Sequence, residues 1–142
     1  PSVELRVWLW QCWMRGVRGV LVWDAINWSD GQGGLRNPYV RTYDKPERGN
    51  GDGLFFYPPE AVYAAGEGFV DEPPVGSIRG EMLRDGLEDY EYLAQLRALA
   101  PTHPLLTVPP EIAAGLDSFS SSPVALEARR IALAKEIERL KK

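Results

Sequence analysis

The segment SVELRVWLWQCWMRG, residues 2–16, is apolar on nearly every side, and this constrains whatever is built around it. It predicts a helix. Ser2 can accept a hydrogen bond from a free N–H of the first turn, and Gly16 can take the left-handed conformation that stops it. Leu5, Trp8, Leu9, Cys12 and Trp13 follow one stripe at helical spacing, and Val7, Trp10 and Met14 follow a second. A helix with two apolar stripes has to be covered from more than one direction. Residues 17–23, VRGVLVW, are rich in β-formers, and the unbroken Val20-Leu21-Val22 run predicts a strand buried on both faces. A helix followed closely by such a strand predicts an α/β architecture.

Residues 24–50 contain Gly31, Gly33, Gly34, Pro38 and Pro46 among polar residues and show no sustained period, which predicts a long loop. Structureless loops beyond about 12–15 residues are uncommon in compact domains and often functional. This one is bordered or occupied by Trp23, Trp28, Tyr39 and Tyr43. GDGLFFYPP then predicts a turn and a short extended run halted by Pro58 and Pro59. The stretch SIRGEMLRDGLEDYEYLAQL, residues 77–96, predicts a helix capped by Ser77, with Ile78, Met82, Leu83, Leu87, Tyr90, Leu93 and Ala94 on its apolar face. Gly86 inside it predicts close packing at that point, because glycine there costs about 1 kcal/mol relative to alanine. A proline-containing linker over residues 101–110 leads to a last helix. Ser122 is its expected cap, Pro123 its first residue, and Val124, Ile131, Ile137 and Leu140 its apolar stripe. Arg139, Lys141 and Lys142 face the negative end of its dipole.

Composition narrows the function. With 44% hydrophobic residues, 25% charged residues and a net charge of −4, the 142-residue chain is globular in type and lacks the basic surplus of a nucleic-acid binder. Its apolar runs fall far short of the roughly 20 residues of a membrane span. No nucleic-acid or membrane partner is therefore expected. The single cysteine, Cys12, sits among tryptophans and reads as a small buried hydrophobe rather than a nucleophile. His103, in PTHPLL, reads as a surface loop residue. NGDG resembles the start of a calcium loop, but that register puts Arg48 at the first ligand position and Pro59 at the twelfth, so no metal or other cofactor is expected.

The order of these features, Arg6 and Trp10 on a helix, GVRGVLVW, Asn27-Trp28, GDGLFFYP and then SIRGEMLRDGLEDYEYL, resembles the C-terminal part of the glycoside hydrolase family 123 catalytic domain, also catalogued as domain of unknown function 4091. The resemblance spans most of the chain and is strongest over residues 51–93; Gly80 departs from it, standing where a larger apolar residue is usual. It implies the final portion of a (β/α)8 barrel over residues 1–100, with a linker and helical appendage of the same domain over residues 101–142. Such a piece is mostly helical by itself, and its first partner is the missing N-terminal part of the same barrel. A complete barrel of this type takes roughly 250 residues, which fits the chain being a fragment.

Family resemblance further implies removal of terminal N-acetylgalactosamine by a substrate-assisted retaining mechanism, in which the acetamido oxygen of the sugar attacks the anomeric carbon and an adjacent Asp-Glu pair orients and protonates. Asp71-Glu72 is such a pair, but it lies in a proline-rich segment before a helix, whereas the family's pair follows an earlier strand. Glu88-Asp89 lies well inside a helix. The catalytic pair is therefore expected upstream of Pro1, and no catalytic residue is assigned in this chain. The loop after a barrel strand lies on the catalytic face, which makes Trp23, Asp24, Asn27 and Trp28 candidate substrate-binding residues, joined by Tyr57 and Arg79. Aromatic rings can stack on the C–H face of a sugar while polar side chains meet its hydroxyls. Along residues 77–96, Arg84 with Glu88 and Glu81 with Arg84 are spaced to pair on the surface, and Tyr90 and Tyr92 are expected to pack and hydrogen-bond as scaffold. A different class of reading is a carbohydrate-binding or structural barrel descendant without catalysis.

Overall fold

The computed structural model of the chain describes residues 3–29, 31, 32, 34–40, 51, 53–60, 62 and 71–142. Ser2, Tyr43, Pro46, Arg48 and the rest of residues 41–50 lie outside them. The fold is mixed and mostly helical: α1 (Val3–Met14), β1 (Phe56–Tyr57), β2 (Val75–Gly76), α2 (Ile78–Leu99), a 3-10 turn (Pro104–Leu106) and α3 (Val124–Leu140). None of the helices is long and apolar enough to cross a membrane among the described residues. The chain divides into two compact units, one formed by residues 1–20 and 82–142, the other by residues 21–81.

The first unit is a helical assembly. Val7 and Trp10 of α1, Leu93 and Leu96 of α2, Val108, Ile112 and Ala113 of the segment between α2 and α3, and Leu126, Leu133 and Ile137 of α3 form one buried cluster. α1 is covered broadly, with Arg6, Val7, Leu9, Trp10, Gln11 and Cys12 all buried, while Met14 of the second expected stripe is exposed. It ends as expected. Gly16 has φ 67, and Val17 N–H donates back to Cys12 O at 2.9 Å. Burial pushes the Cys12 thiol up, in keeping with a packed hydrophobe.

An ion network crosses this apolar cluster. Asp89 of α2 has a fully buried side chain and accepts from Arg6 Nε at 2.7 Å, Arg6 Nη2 at 3.1 Å and Trp10 Nε1 at 2.9 Å. Arg130 Nε of α3 binds the same carboxylate, and Arg130 Nη2 also donates to Asp85 O at 2.6 Å. Arg6 Nη1 reaches Glu127 of α3. Desolvation works against the Arg6 charge but is outweighed by its hydrogen bonds to Asp89 and Glu127, so its pKa is raised. One carboxylate thus joins all three helices. Gly86, one turn before it, explains how α1 comes so near: a Cβ there would stand 3.0 Å from Arg6 O and 3.1 Å from Leu9 Cδ2.

Trp13 donates to Leu106 O at 2.8 Å, meets Tyr90 edge-on at 5.2 Å, and lies under Arg97. Tyr90 donates to Val17 O at 2.8 Å and Tyr92 packs against the core, the scaffold roles expected of them. Arg84 and Glu88 pair at 3.6 Å on the surface. His103 is not a plain surface residue. Its Nδ1 accepts from Leu105 N–H at 3.2 Å, capping the 3-10 turn, and its Nε2 lies 3.0 Å from Glu136 of α3. The hydrogen bond from Arg139, with His103 alongside, holds the Glu136 carboxyl below the usual carboxylate range.

Three expectations are corrected. Residues 17–23 form no strand: Leu21 is 79% exposed and Trp23 91% exposed, and no described residue supplies a ladder. A strand buried on both faces depends on flanking strands, whereas the described β1 and β2 are two residues each and pair with one another. The buried face of α2 is Gly86, Asp89, Leu93 and Leu96, leaving Ile78 and Leu87 exposed, because Arg6 and Trp10 draw the Asp89 side inward. Likewise α3 buries Leu126, Leu133 and Ile137, while Val124 and Ile131 face solvent. Turning Arg130 and Glu127 toward the network sets that rotation. The expected cap is also displaced: Pro123 rather than Ser122 is the N-cap, with no side-chain cap hydrogen bond, and Ser122 lies one residue before it, its Oγ accepting from Val124 N–H at 3.4 Å.

Removing the acceptor of a buried guanidinium group, here Arg6 with the part-buried Arg130 beside it, is strongly destabilising, typically by about 3–5 kcal/mol. Asp89→Ala is expected to lose stability on that scale in urea unfolding. Asp89→Asn, which keeps one acceptor oxygen, should lose less. An unchanged unfolding midpoint in Asp89→Ala would show that the network does not hold the helices together.

Candidate functional site

Within the second unit, three short stretches of backbone lie side by side. Ala25 O accepts from Phe55 N–H at 2.9 Å and Phe56 N–H at 3.2 Å, and Asn27 N–H donates to Gly53 O at 2.8 Å, with an antiparallel bridge between Ile26 and Leu54. On the other edge β1 pairs antiparallel with β2, Phe56 opposite Gly76 and Tyr57 opposite Val75. Ser77 closes the set. Its N–H donates to Phe55 O at 3.0 Å and its hydroxyl to Leu54 O at 3.2 Å, while the same oxygen accepts from Gly80 N–H at 3.3 Å as the N-cap of α2. Gly80, the departure from the resembling family, has its place here: a Cβ would meet Phe55 O at 3.3 Å.

The turn after residue 50 gathers four of the six candidate residues. Leu54 N–H donates to Gly51 O at 3.0 Å, closing the turn. Asp24 and Asn27 flank Gly53, where a Cβ would stand 2.8 Å from Asn27 Cβ and 3.6 Å from Asp24 Cγ. Asp24 Oδ1 accepts from Ile26 N–H at 3.3 Å, a local turn bond that holds its carboxylate beside the chain. Arg79 approaches the same turn from α2. Its Nε donates to Gly51 O at 3.1 Å and its Nη2 to the Tyr57 hydroxyl at 3.1 Å. Arg79 therefore ties the turn to β1 through a carbonyl and a phenol.

The two tryptophans differ. Trp28 is half-buried and its Nε1 donates to Phe56 O at 2.9 Å, so its ring is pinned along β1. Trp23 is almost wholly exposed, and no hydrogen bond or ring contact with a described residue orients it. The expected long loop is irregular wherever it is described, with one backbone bridge between Ser29 and Leu35. Asp71 and Glu72 are exposed and lie outside the paired segments. No cluster of three metal-ligating side chains occurs among the described residues.

Two residues at this site were not among the candidate binding residues. Tyr39 stacks at a tilt on Tyr57 with ring centroids 5.2 Å apart, and its hydroxyl donates to Pro58 O at 2.8 Å. Burial, with Glu60 and Tyr57 nearby, pushes the Tyr39 phenol up. Arg36 Nη2 donates to Asn27 O at 2.7 Å. An aromatic in a glycine-rich loop was a signal for Tyr39, but nothing local points Arg36 at a carbonyl nine residues earlier.

Gly51 has φ +79, and a Cβ on it would stand 1.6 Å from Arg79 Nη2. Gly31 has the same φ, +79, with open space around it. The pair separates backbone strain from side-chain displacement. Gly31→Ala is expected to cost about 1–3 kcal/mol from the left-handed backbone alone, and Gly51→Ala more than that, with Arg79 driven off Tyr57. Equal losses would mean that Arg79 moves aside freely.

Compared with protein-family models, curated proteins and solved structures, the chain matches none of them.

Proposed function

We propose that residues 21–81 supply one wall of a carbohydrate site in a glycoside hydrolase resembling family 123, acting on terminal N-acetylhexosamines such as N-acetyl-β-galactosaminides by substrate-assisted retention. In this reading the chain is the C-terminal portion of a (β/α)8 barrel. The observation that carries it is the pairing of an exposed aromatic with adjacent polar groups: Trp23 offers its ring to solvent immediately before Asp24, which shares the 51–54 turn with Asn27. A sugar face on Trp23, with Asp24 and Asn27 meeting hydroxyls and Trp28, Tyr57 and Arg79 supporting them, suits that arrangement.

Catalysis is assigned elsewhere in the parent enzyme. Asp89 is committed to Arg6, Trp10 and Arg130 and is sealed from solvent, so Glu88-Asp89 does not serve as an acid pair. Asp71-Glu72 is exposed beside Pro73-Pro74 and lies outside the paired segments that carry the candidate residues.

Titration of the chain with N-acetylgalactosamine, followed by tryptophan fluorescence, tests the wall. Trp23→Ala should weaken binding by about 1–3 kcal/mol, the scale of burying one aromatic ring, while leaving the melting temperature unchanged. Trp10→Ala, which removes a buried ring bonded to Asp89, should instead lower the melting temperature. Undiminished binding by Trp23→Ala would refute the assignment. Separately, an aryl N-acetyl-β-galactosaminide should not be hydrolysed by this chain, and turnover abolished by Asp71→Asn with Glu72→Gln would identify those carboxylates as the pair.

A further inference from the structure

Arg79 is fixed, and no partner among the described residues neutralises it. Its Nε is held by Gly51 O and its Nη2 by the Tyr57 hydroxyl, two of the five N–H donors of a guanidinium, and no carboxylate among the described residues lies within ion-pair distance. Both of its fixed partners are neutral. Tyr57 accepts in its bond to Arg79, so its own hydroxyl proton has no acceptor among the described residues and remains available to a ligand. The ring carrying it is held by Tyr39 at 5.2 Å and by the β1–β2 pairing at Val75. Glu60 acts on the Tyr39 phenol and makes no ion pair with Arg79. The half-buried guanidinium and the phenol, 3.1 Å apart, are thus two adjacent donors held in place before any ligand arrives. Neutral hydroxyls do not require a cation; an oxyanion does, since a guanidinium fork matches its paired oxygens and the resulting hydrogen bonds are charge-assisted.

We propose that Arg79 and Tyr57 form a subsite for an oxyanion carried by the sugar, a sulfate ester or a uronic carboxylate, so that the wall takes acidic rather than neutral glycans. This rests on the carbohydrate reading of the same wall. Arg79 Nη1 and the Tyr57 O–H donate to the anionic oxygens, and the rest of the sugar extends along the turn.

The test titrates the full chain with four probes: N-acetylgalactosamine, its 6-sulfate, galacturonic acid and inorganic sulfate. At least one acidic sugar is expected to bind on the order of tenfold more tightly than N-acetylgalactosamine, the worth of one charge-assisted hydrogen bond. That advantage should fall toward one in Arg79→Gln and shrink at about 0.5 M salt, as screening requires. Which of the 6-sulfate and galacturonic acid gains more tells the two anion sources apart. Tyr57→Phe keeps the ring and removes only the hydroxyl, so it should reduce the same ratio even if Arg79→Gln unfolds. Arg79→Lys keeps the charge without the fork and should retain part of it. Acidic sugars binding no more tightly than the neutral one, or an advantage that survives Arg79→Gln or Tyr57→Phe, would overturn the subsite while leaving the neutral wall intact. Arg79-dependent binding of an acidic sugar with no binding of N-acetylgalactosamine would support the subsite and refute the neutral reading. Inorganic sulfate bound as tightly as the sulfated sugar, or no probe bound at all, would overturn the proposal outright.

Discussion

A buried carboxylate in an apolar assembly has to be matched, and Asp89 is matched three times over, by Arg6 and Trp10 of α1 and by Arg130 of α3. Desolvating so many ionic groups contributes little net stability, since burial costs offset much of the attraction. What it contributes is position. Hydrophobic contacts are non-directional, whereas a carboxylate with fixed donors admits only one rotation of each helix. The inward turn of Gly86 and Asp89 on α2, and of Leu126 and Leu133 on α3, follows from satisfying that group.

The second unit is ordered by different means. Among its described residues few apolar side chains are buried, Leu54 being one, and its segments are joined by backbone bridges, side-chain caps and an arginine resting on a glycine carbonyl. Polar hydrogen bonds of this kind are individually worth about 0.5–1.5 kcal/mol, so many small contributions join the described segments. That suits a recognition surface. Its polar groups stay near solvent, and large apolar residues such as Trp23 and Leu21 can remain exposed.

Local features carried well from sequence to structure where the physical cause was itself local. The glycine stop of α1, the Ser77 cap, the short extended run halted by Pro58 and the tight packing at Gly86 each depend on one or two residues and their immediate chain. Errors arose where burial decided. Val124, Ile131, Ile78 and Leu87 look like core positions by hydrophobicity, yet each faces solvent because a charged residue claimed the inner side. Arg6 left a readable trace, a lone cation in the middle of an otherwise apolar helix, but its partner lies 83 residues away. Two of the candidate site residues, Tyr57 and Arg79, prove to be hydrogen-bonded to each other, a contact that no spacing rule links across 22 residues.

By itself the sequence determined the helices, the stop of the first and the cap of the second, the irregular glycine-rich stretch after Trp23 and the lack of a basic surplus or of an apolar run long enough for a membrane helix, because propensity, capping and composition act over a turn or a whole-chain average. Only the tertiary structure decided which side of each helix is buried and which residues share the turn after residue 50. It also decided that residues 17–23, strand-like in every local respect, form no strand within this chain. The reason is common to all three: a face, a site and a strand are relations between distant segments, and their energy comes from partners that the local residues do not contain.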